Sequence, residues 1–213
     1  KLAAKVMSGM KLTELGFTKE VVPPYYTVKE AVFPWNRFPG IDVVLGPEMH
    51  STGEVMGIDT DPELAYMKSQ ISAFNPLPEK GLVFISVHDR DKDAAVEIAR
   101  NIAEAGFDIC ATKGTMIHLL QHGIECERAY KVLEGRRPNI VDRIKNGDIA
   151  FVINTPGSHD AREDEVAIRA ATVNTKVSYA TDLSSARACA AAILHNKNKV
   201  AGVRTLQEYH SSN

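Results

Sequence analysis

Hydrophobic and polar positions follow two regimes along the chain, separated at 75–81 by "NPLPEKG", where prolines and a glycine break any regular element. After that break the pattern is rhythmic. "GLVFISV" is a short, continuously apolar strand. Asp91 opens a helix with Ala94, Ala95, Ile98, Ala99 and Ile102 on one face, and Gly106 ends it. "FDICA" is a second strand, followed by a helix from Gly114 to His122. A short strand near "CERAYKV", the loop "LEGRRPN" and the helix "IVDRIKNG" come next. The strand "DIAFVIN", the helix "REDEVAIRAATVN", the strand "KVSYA" and the alanine-rich helix "SSARACAAAIL" complete the series. Apolar strands alternating with helices predict an α/β fold, a parallel five-stranded sheet with helices on both faces.

Before the break the pattern is irregular. "TVKEAVF" and "STGEVMG" read as strands. "DPELAYMKSQISAF" reads as a helix with Asp61 as N-cap, Pro62 at its first position, and Leu64, Met67, Ile71 and Phe74 on its apolar face. This α+β stretch shows no repeating unit and does not read as an independent domain. The opening "KLAAKVMSGMKL" has Leu2, Val6 and Met10 at helical spacing with neither an N-cap nor an initiator Met, so we expect a fragment of a longer chain. The expected division is a tail over 1–75 and an α/β domain over 78–213.

Composition narrows the function classes. A chain of 213 residues, 44% hydrophobic and 24% charged, has the balance of a soluble globular protein. A net charge of −2 gives no field favouring nucleic acid or anionic lipid. Cys110, Cys126 and Cys189 are an odd set without CxxC spacing and read as reduced thiols of a cytoplasmic protein, not a disulfide frame or metal site. No apolar run is long enough to span a membrane, and no signal peptide is recognisable.

In a parallel sheet of this kind ligands bind beyond the carboxyl ends of the strands. The first strand delivers Ser86, His88, Asp89 and Lys92 there, and the second delivers Thr112, Lys113, Gly114 and Thr115. Lys131, with Arg136 and Arg137 nearby, comes from the third region, Asn154, Thr155 and Ser158 from the fourth, and Thr181 and Asp182 from the fifth. Hydroxyls, lysines and a helix N-terminus on one rim are the groups that a phosphate takes. Gly114 lets backbone approach the anion, and Asn154 suits a sugar hydroxyl or a base edge. Each residue also has an ordinary reading: Thr112 as a helix cap, Lys92 and Lys131 as solvated charges, Asn154 as a turn former. Lys113 reads as solvent-facing.

Several stretches resemble a known family. "TKEVVPPYYTVKEAVFP", "FPGID", "LGPEM" and "HSTGEVMG" are similar to the end of the second ATP-grasp half of the carbamoyl-phosphate synthase large subunit. "LVFISVHDRDK", "CATKGT", "YKVLEGRRPNIVDRIKNGDIAFVINT" and "KVSYAT" resemble the methylglyoxal-synthase-like regulatory domain that closes that subunit. The resemblance implies that residues 1–75 are the tail of a catalytic domain whose ATP, metal and carbamate ligands lie upstream. No catalytic or metal residue is therefore expected here, and the fragment needs no cofactor. The parent enzyme would use ATP, Mg or Mn, and K for an ATP-dependent ligase reaction serving arginine or pyrimidine synthesis. Its implied partners are a small glutamine-amidotransferase subunit, the other large-subunit domains, and further copies of itself through the regulatory domain.

The resemblance also implies a nucleotide monophosphate effector, of UMP or IMP type, held by Lys92, Thr112, Gly114, Thr115, Lys131 and Asn154, with Asp164 near a further contact. Pro156 replaces a family threonine, and "LEGRRPN" carries one extra residue, so the roles of Arg136 and Arg137 stay open. Glu30, Leu45 and Thr181 match remnants of the family's ornithine site. Ala180 stands where that site has an aspartate, so weak or absent ornithine binding is expected. Two rivals remain. The "HDRDK" stretch matches a methylglyoxal synthase lyase acting on dihydroxyacetone phosphate, but Gly135 falls where that enzyme's aspartate base would be, with Glu134 beside it. A purely structural, oligomerising domain is the other.

Overall fold

The computed structural model describes residues 1–33, 53–155, 162–197, 199 and 201–211. The chain forms two compact units, Lys1–Tyr25 with Arg204–Asn213, and Tyr26–Val203. In the first, helices α1 (Leu2–Met7) and α8 (Leu206–Ser211) are present, and the Tyr25 ring lies 5.4 Å from that of the buried Tyr209. A reciprocal pair caps α8: the Thr205 N–H donates to Glu208 Oε2 at 2.6 Å, and the Glu208 N–H donates to Thr205 Oγ1 at 3.2 Å.

The second unit opens with the antiparallel hairpin β1 (Tyr26–Val32) and β2 (Gly53–Asp59), paired from Tyr26↔Asp59 to Val32↔Gly53. Both strands fall where the sequence predicts them. Helix α2 (Pro62–Ser72) follows, with Asp61 Oδ1 accepting the Glu63 and Leu64 N–H groups at 3.1 Å as expected of its N-cap. Its buried face is not the predicted one. Ala65, Ser69 and Gln70 are buried, Leu64 and Met67 only half-buried, and Ile71 and Phe74 are 49% and 86% exposed. The reason is close approach to β2. A Cβ on Gly57 would stand 2.0 Å from the Ala65 carbonyl oxygen and 2.5 Å from the Ser69 nitrogen, so helix backbone rests directly on strand backbone. Only small side chains fit that seam.

The predicted parallel sheet is present. Strands β3 (Leu82–Ser86), β4 (Asp108–Ala111), β5 (Glu127–Arg128), β6 (Ile149–Asn154) and β7 (Ser178–Ala180) lie in the order β5-β4-β3-β6-β7, every neighbouring pair parallel. Only Glu127–Arg128 of the predicted "CERAYKV" strand joins the sheet. Side-chain alternation divides the interior in two. Val83, Ile85, Ile109, Ala111, Phe151 and Ile153 face one layer, where α3 (Lys92–Glu104) and α7 (Leu183–His195) supply Ala95, Ile98, Ile102, Cys189 and Ile193. Phe84, Cys110 and Val152 face the other, with Ile140 and Ile144 of α5 (Ile140–Asn146) and Ile168 of α6 (Arg162–Thr175). Strands covered on both faces are why their sequences are continuously apolar.

Helix α3 ends at Gly106 (φ +94) as predicted. Asp91 precedes it but makes no side-chain cap; its carboxylate accepts the Thr155 hydroxyl at 2.9 Å. The connection before β3 is tied to the sheet edge. The Tyr179 N–H donates to Asn75 Oδ1 (3.1 Å), Asn75 Nδ2 donates to the Tyr179 carbonyl (3.3 Å), and the Ser178 hydroxyl donates to the Pro76 carbonyl. The Tyr66 hydroxyl of α2 meets Cys189 Sγ of α7 at 3.4 Å. All three cysteines are free thiols, Cys110 and Cys189 buried, with burial pushing each up to about 12. No helix among the described residues is long and apolar enough to cross a membrane.

Candidate functional site

The strand order reverses between β3 and β6, since β4 and β5 lie to one side of β3 and β6 and β7 to the other. Such a switch point opens a crevice beyond the strand ends. A cavity of about 380 Å³ lies at the carboxyl ends of β3 and β4, lined by Ser86–Asp89, Lys92, Thr112–Thr115, Lys131, Glu134 and Glu165. Five of the residues expected at an anion site, Lys92, Thr112, Gly114, Thr115 and Lys131, therefore share one cavity.

Helix α4 (Lys113–Gln121) begins in this wall, one residue before the start expected from the sequence. Thr112 occupies its N-cap position in extended backbone but makes no side-chain capping bond. Its buried hydroxyl instead lies 3.4 Å from Ser86 Oγ and 3.4 Å from Thr115 Oγ1. The ordinary explanation of Thr112 as a helix cap is thus not what the structure contains. The first N–H groups of a helix lack intrahelical partners and carry partial positive charge. The Lys92 ammonium stands beside this first turn: a Cβ on Gly114 would lie 3.1 Å from Lys92 Nζ. Lys92 pairs with Asp89 at 2.8 Å, and this hydrogen bond holds the Asp89 carboxyl below the usual range. Lys113 is exposed at the rim, as expected.

The remaining residues brace the walls. Asn154 is buried; its Nδ2 donates to the Ser86 carbonyl at 3.3 Å, and its Oδ1 accepts from Arg169 Nη1 at 3.1 Å. Asp164 accepts the Leu133 N–H at 3.1 Å and anchors the turn Val132–Glu134 that follows Lys131. Thr155 takes the His88 N–H at 3.0 Å while donating to Asp91. Neither Asn154 nor Asp164 lines the cavity, so both act here through its walls. Arg136 and Arg128 stack on the Tyr130 ring, 5.2 and 4.6 Å from its centroid, and Arg137 pairs with Asp142 at 3.0 Å.

Glu134 reaches the cavity, but its carboxylate accepts the Lys131 N–H at 3.0 Å and pairs with Arg128. The Lys131 bond is the larger cause that holds it below the usual carboxylate range. At the second expected site, Glu30 accepts from Gln70 Nε2 at 3.0 Å; burial raises its pKa, as does the charge of Asp182, next to the half-buried Thr181. Leu45, Pro156 and Ser158 lie outside the described residues.

Comparison with known proteins decides the family. The model of the MGS-like domain matches residues 94–181, the segment from α3 into the turn after β7. The carbamoyl phosphate synthase large chain of Nostoc sp. is 47% identical over 98% of this chain and 19% of its own length. Those of Pasteurella multocida and Archaeoglobus fulgidus are 47% and 48% identical over 99% of this chain and 20% of theirs. The chain belongs to the carbamoyl phosphate synthase large-chain family. It spans about a fifth of the length of the curated relatives it matches, corresponding to their C-terminal part with the MGS-like domain.

One cavity residue of this large-chain segment was not anticipated from its sequence. Glu165 is buried, with its Oε2 3.7 Å from Arg169 Nη1. The signal was present as the acidic run at 163–165 opening a helix, but the run alone does not say which carboxylate turns inward. That depends on the phase of α6 over the sheet.

Proposed function

We propose that this chain is the allosteric, nucleotide-sensing part of a carbamoyl phosphate synthase large chain. The carrying observation is the start of α4. A helix N-terminus without a side-chain cap, two buried threonine hydroxyls and the Lys92 ammonium face one cavity, and together they match the donors a phosphate monoester takes. The effector is a nucleotide monophosphate of UMP or IMP type, with Lys92, Thr112, Gly114, Thr115 and Lys131 on the phosphate side and Asn154 and Asp164 setting the walls. Its binding tunes ATP-dependent carbamoyl phosphate synthesis in a parent ligase whose substrates, ATP, metal ions and glutamine-hydrolysing small subunit engage other parts of the protein. Coupling of this kind requires the effector to bind two conformations of the parent with different affinity.

In this reading residues 1–75 are the tail of the second ATP-grasp domain and 78–213 the regulatory domain, which also supplies contacts between copies in a cytoplasmic enzyme. Glu30 and Thr181 are remnants of an ornithine site, with weak or absent affinity. The lyase alternative is disfavoured by Glu134, because a carboxylate engaged by Arg128 and held low is a poor general base. Calorimetric titration with UMP and with IMP tests the proposal. Binding of at least one is expected, and none at millimolar concentration would leave the structural role. Release of methylglyoxal from dihydroxyacetone phosphate would overturn the regulatory reading.

A further inference from the structure

The packing of α2 on α7 brings together a set of metal-binding groups outside the cavity described above. Asp61, the N-cap of α2, Glu63 in its first turn and His195, the last residue of α7, each place one ligand atom within 4.8 Å of the others. His195 Nε2 lies 2.6 Å from Asp61 Oδ2 and 4.0 Å from Glu63 Oε2. The helix cap occupies the other Asp61 oxygen, since Oδ1 accepts the Glu63 and Leu64 N–H groups. The cluster already attracts a cation. The Lys199 ammonium, from the chain beyond α7, stands 3.0 Å from Asp61 Oδ2 and 2.6 Å from His195 Nε2. Its two neighbours make conflicting demands on one ring nitrogen, which either donates a proton or offers a lone pair. If Nε2 donates to Asp61 it has no lone pair for Lys199. If it accepts from Lys199, its lone pair is no donor to the Asp61 carboxylate.

A divalent cation in place of the ammonium removes the conflict, because it accepts lone pairs from Nε2 and from both carboxylates, whose two charges balance its own. One imidazole with two carboxylates is a donor set for zinc, whereas magnesium and calcium favour oxygen alone. Zinc ligands at about 2.0–2.1 Å in a tetrahedron stand about 3.3 Å apart. The observed 2.6 and 4.0 Å bracket that spacing, so small side-chain rotations suffice. The His195 side chain is 41% exposed, which leaves the fourth position to water. We propose that Asp61, Glu63 and His195 form a zinc site that fastens α2 to α7, and that Lys199 is its built-in competitor, displaced when the metal binds. The ligands span 134 residues from Asp61 to His195, so they leave no spacing motif in the sequence. The site is independent of the nucleotide reading above.

The test is calorimetric titration of the whole chain, stripped of metal by a chelator, with zinc ions alone, beside a thermal melt. Saturable binding is expected, with a melting temperature that rises with zinc concentration, because a ligand that binds only the folded state stabilises it. His195→Ala should weaken binding about tenfold or more. Lys199→Ala should do the opposite and tighten it by about tenfold, the scale of one hydrogen bond to a charged group. A surface lysine with no part in the site would leave the affinity unchanged. His118 and His122, with ring centroids 4.6 Å apart on α4, are the rival zinc ligands, and His122→Ala should leave the affinity as it is. Absence of saturable binding overturns the proposal. So does an affinity that survives His195→Ala, falls with His122→Ala, or fails to rise with Lys199→Ala. Should His195→Ala not fold, His195→Gln removes the imidazole while keeping a polar side chain, and undiminished zinc binding there is equally fatal.

Discussion

Replacing Gly114 by alanine separates anion binding from helix stability. Gly114 is the second residue of α4, and its backbone is not in the left-handed region, so an alanine is conformationally allowed. Outside the helix's own backbone and Gly114's chain neighbours, the added Cβ meets, among the described residues, only the end of Lys92, Nζ at 3.1 Å and Cε at 3.8 Å. A lysine terminus moves at little cost, and alanine is favoured over glycine within a helix by about 0.5–1 kcal/mol. Stability should therefore hold or rise slightly. The anion should suffer, because the methyl takes up cavity space at the first turn and displaces the Lys92 ammonium that lines the same cavity. Loss of one charge-assisted hydrogen bond is about 1.5–3 kcal/mol, which corresponds to a dissociation constant about 10- to 150-fold weaker. Titration of UMP or IMP beside a thermal melt of the same sample reads both quantities. Affinity within about twofold of the parent in a variant that melts normally would refute the assignment of the phosphate to α4, since a weakening of about tenfold is the least expected.

Three further expectations follow from the packing. Gly57→Ala forces a methyl into the α2 backbone at 2.0 Å, so it should cost about 3 kcal/mol or more, measured as a shift of the urea midpoint. Thr155→Val removes the acceptor of the His88 N–H and the donor to Asp91 from a buried position, and should destabilise by about 1–3 kcal/mol in the same assay. Burial works to raise the Asp61 pKa, but hydrogen bonds from His195, Lys199 and the Leu64 N–H outweigh it and depress the carboxyl. Its stabilisation is therefore complete above the unfolded value of about 3.9 and fades as pH falls through the lower folded value. Asp61→Asn, which keeps a capping side chain, should be less stable than the parent at neutral pH, the gap closing in strong acid.

The sheet was legible because burial on both faces writes itself as uninterrupted apolar strands, as in "LVFIS" and "IAFVIN". The cationic side of the cavity was legible for a related reason: a parallel sheet sends every strand's next residues to the same end. Two things were not. The seam between α2 and β2 is made by the missing side chain of Gly57, and apolar periodicity over Leu64, Met67, Ile71 and Phe74 points to the wrong face. Nor does the sequence distinguish residues that line the cavity from those that brace it. Asn154 and Asp164 sit at the expected strand end and helix start, yet their hydrogen bonds go to Ser86, Arg169 and Leu133.

The amide of Asn75 acts as a strand one residue long. It fills both the donor and the acceptor of Tyr179 on the outer strand β7, with Pro76 taking the hydroxyl of Ser178 beside it. An open strand edge is a template for pairing with other chains. The connecting segment is therefore also the guard of the sheet's border. An excised regulatory domain beginning at β3 would lose that guard and gain a sticky flank, whereas one that keeps Asn75 and Pro76 would retain it. Where such a domain is trimmed thus decides whether it stays dispersed in solution, quite apart from whether its core folds.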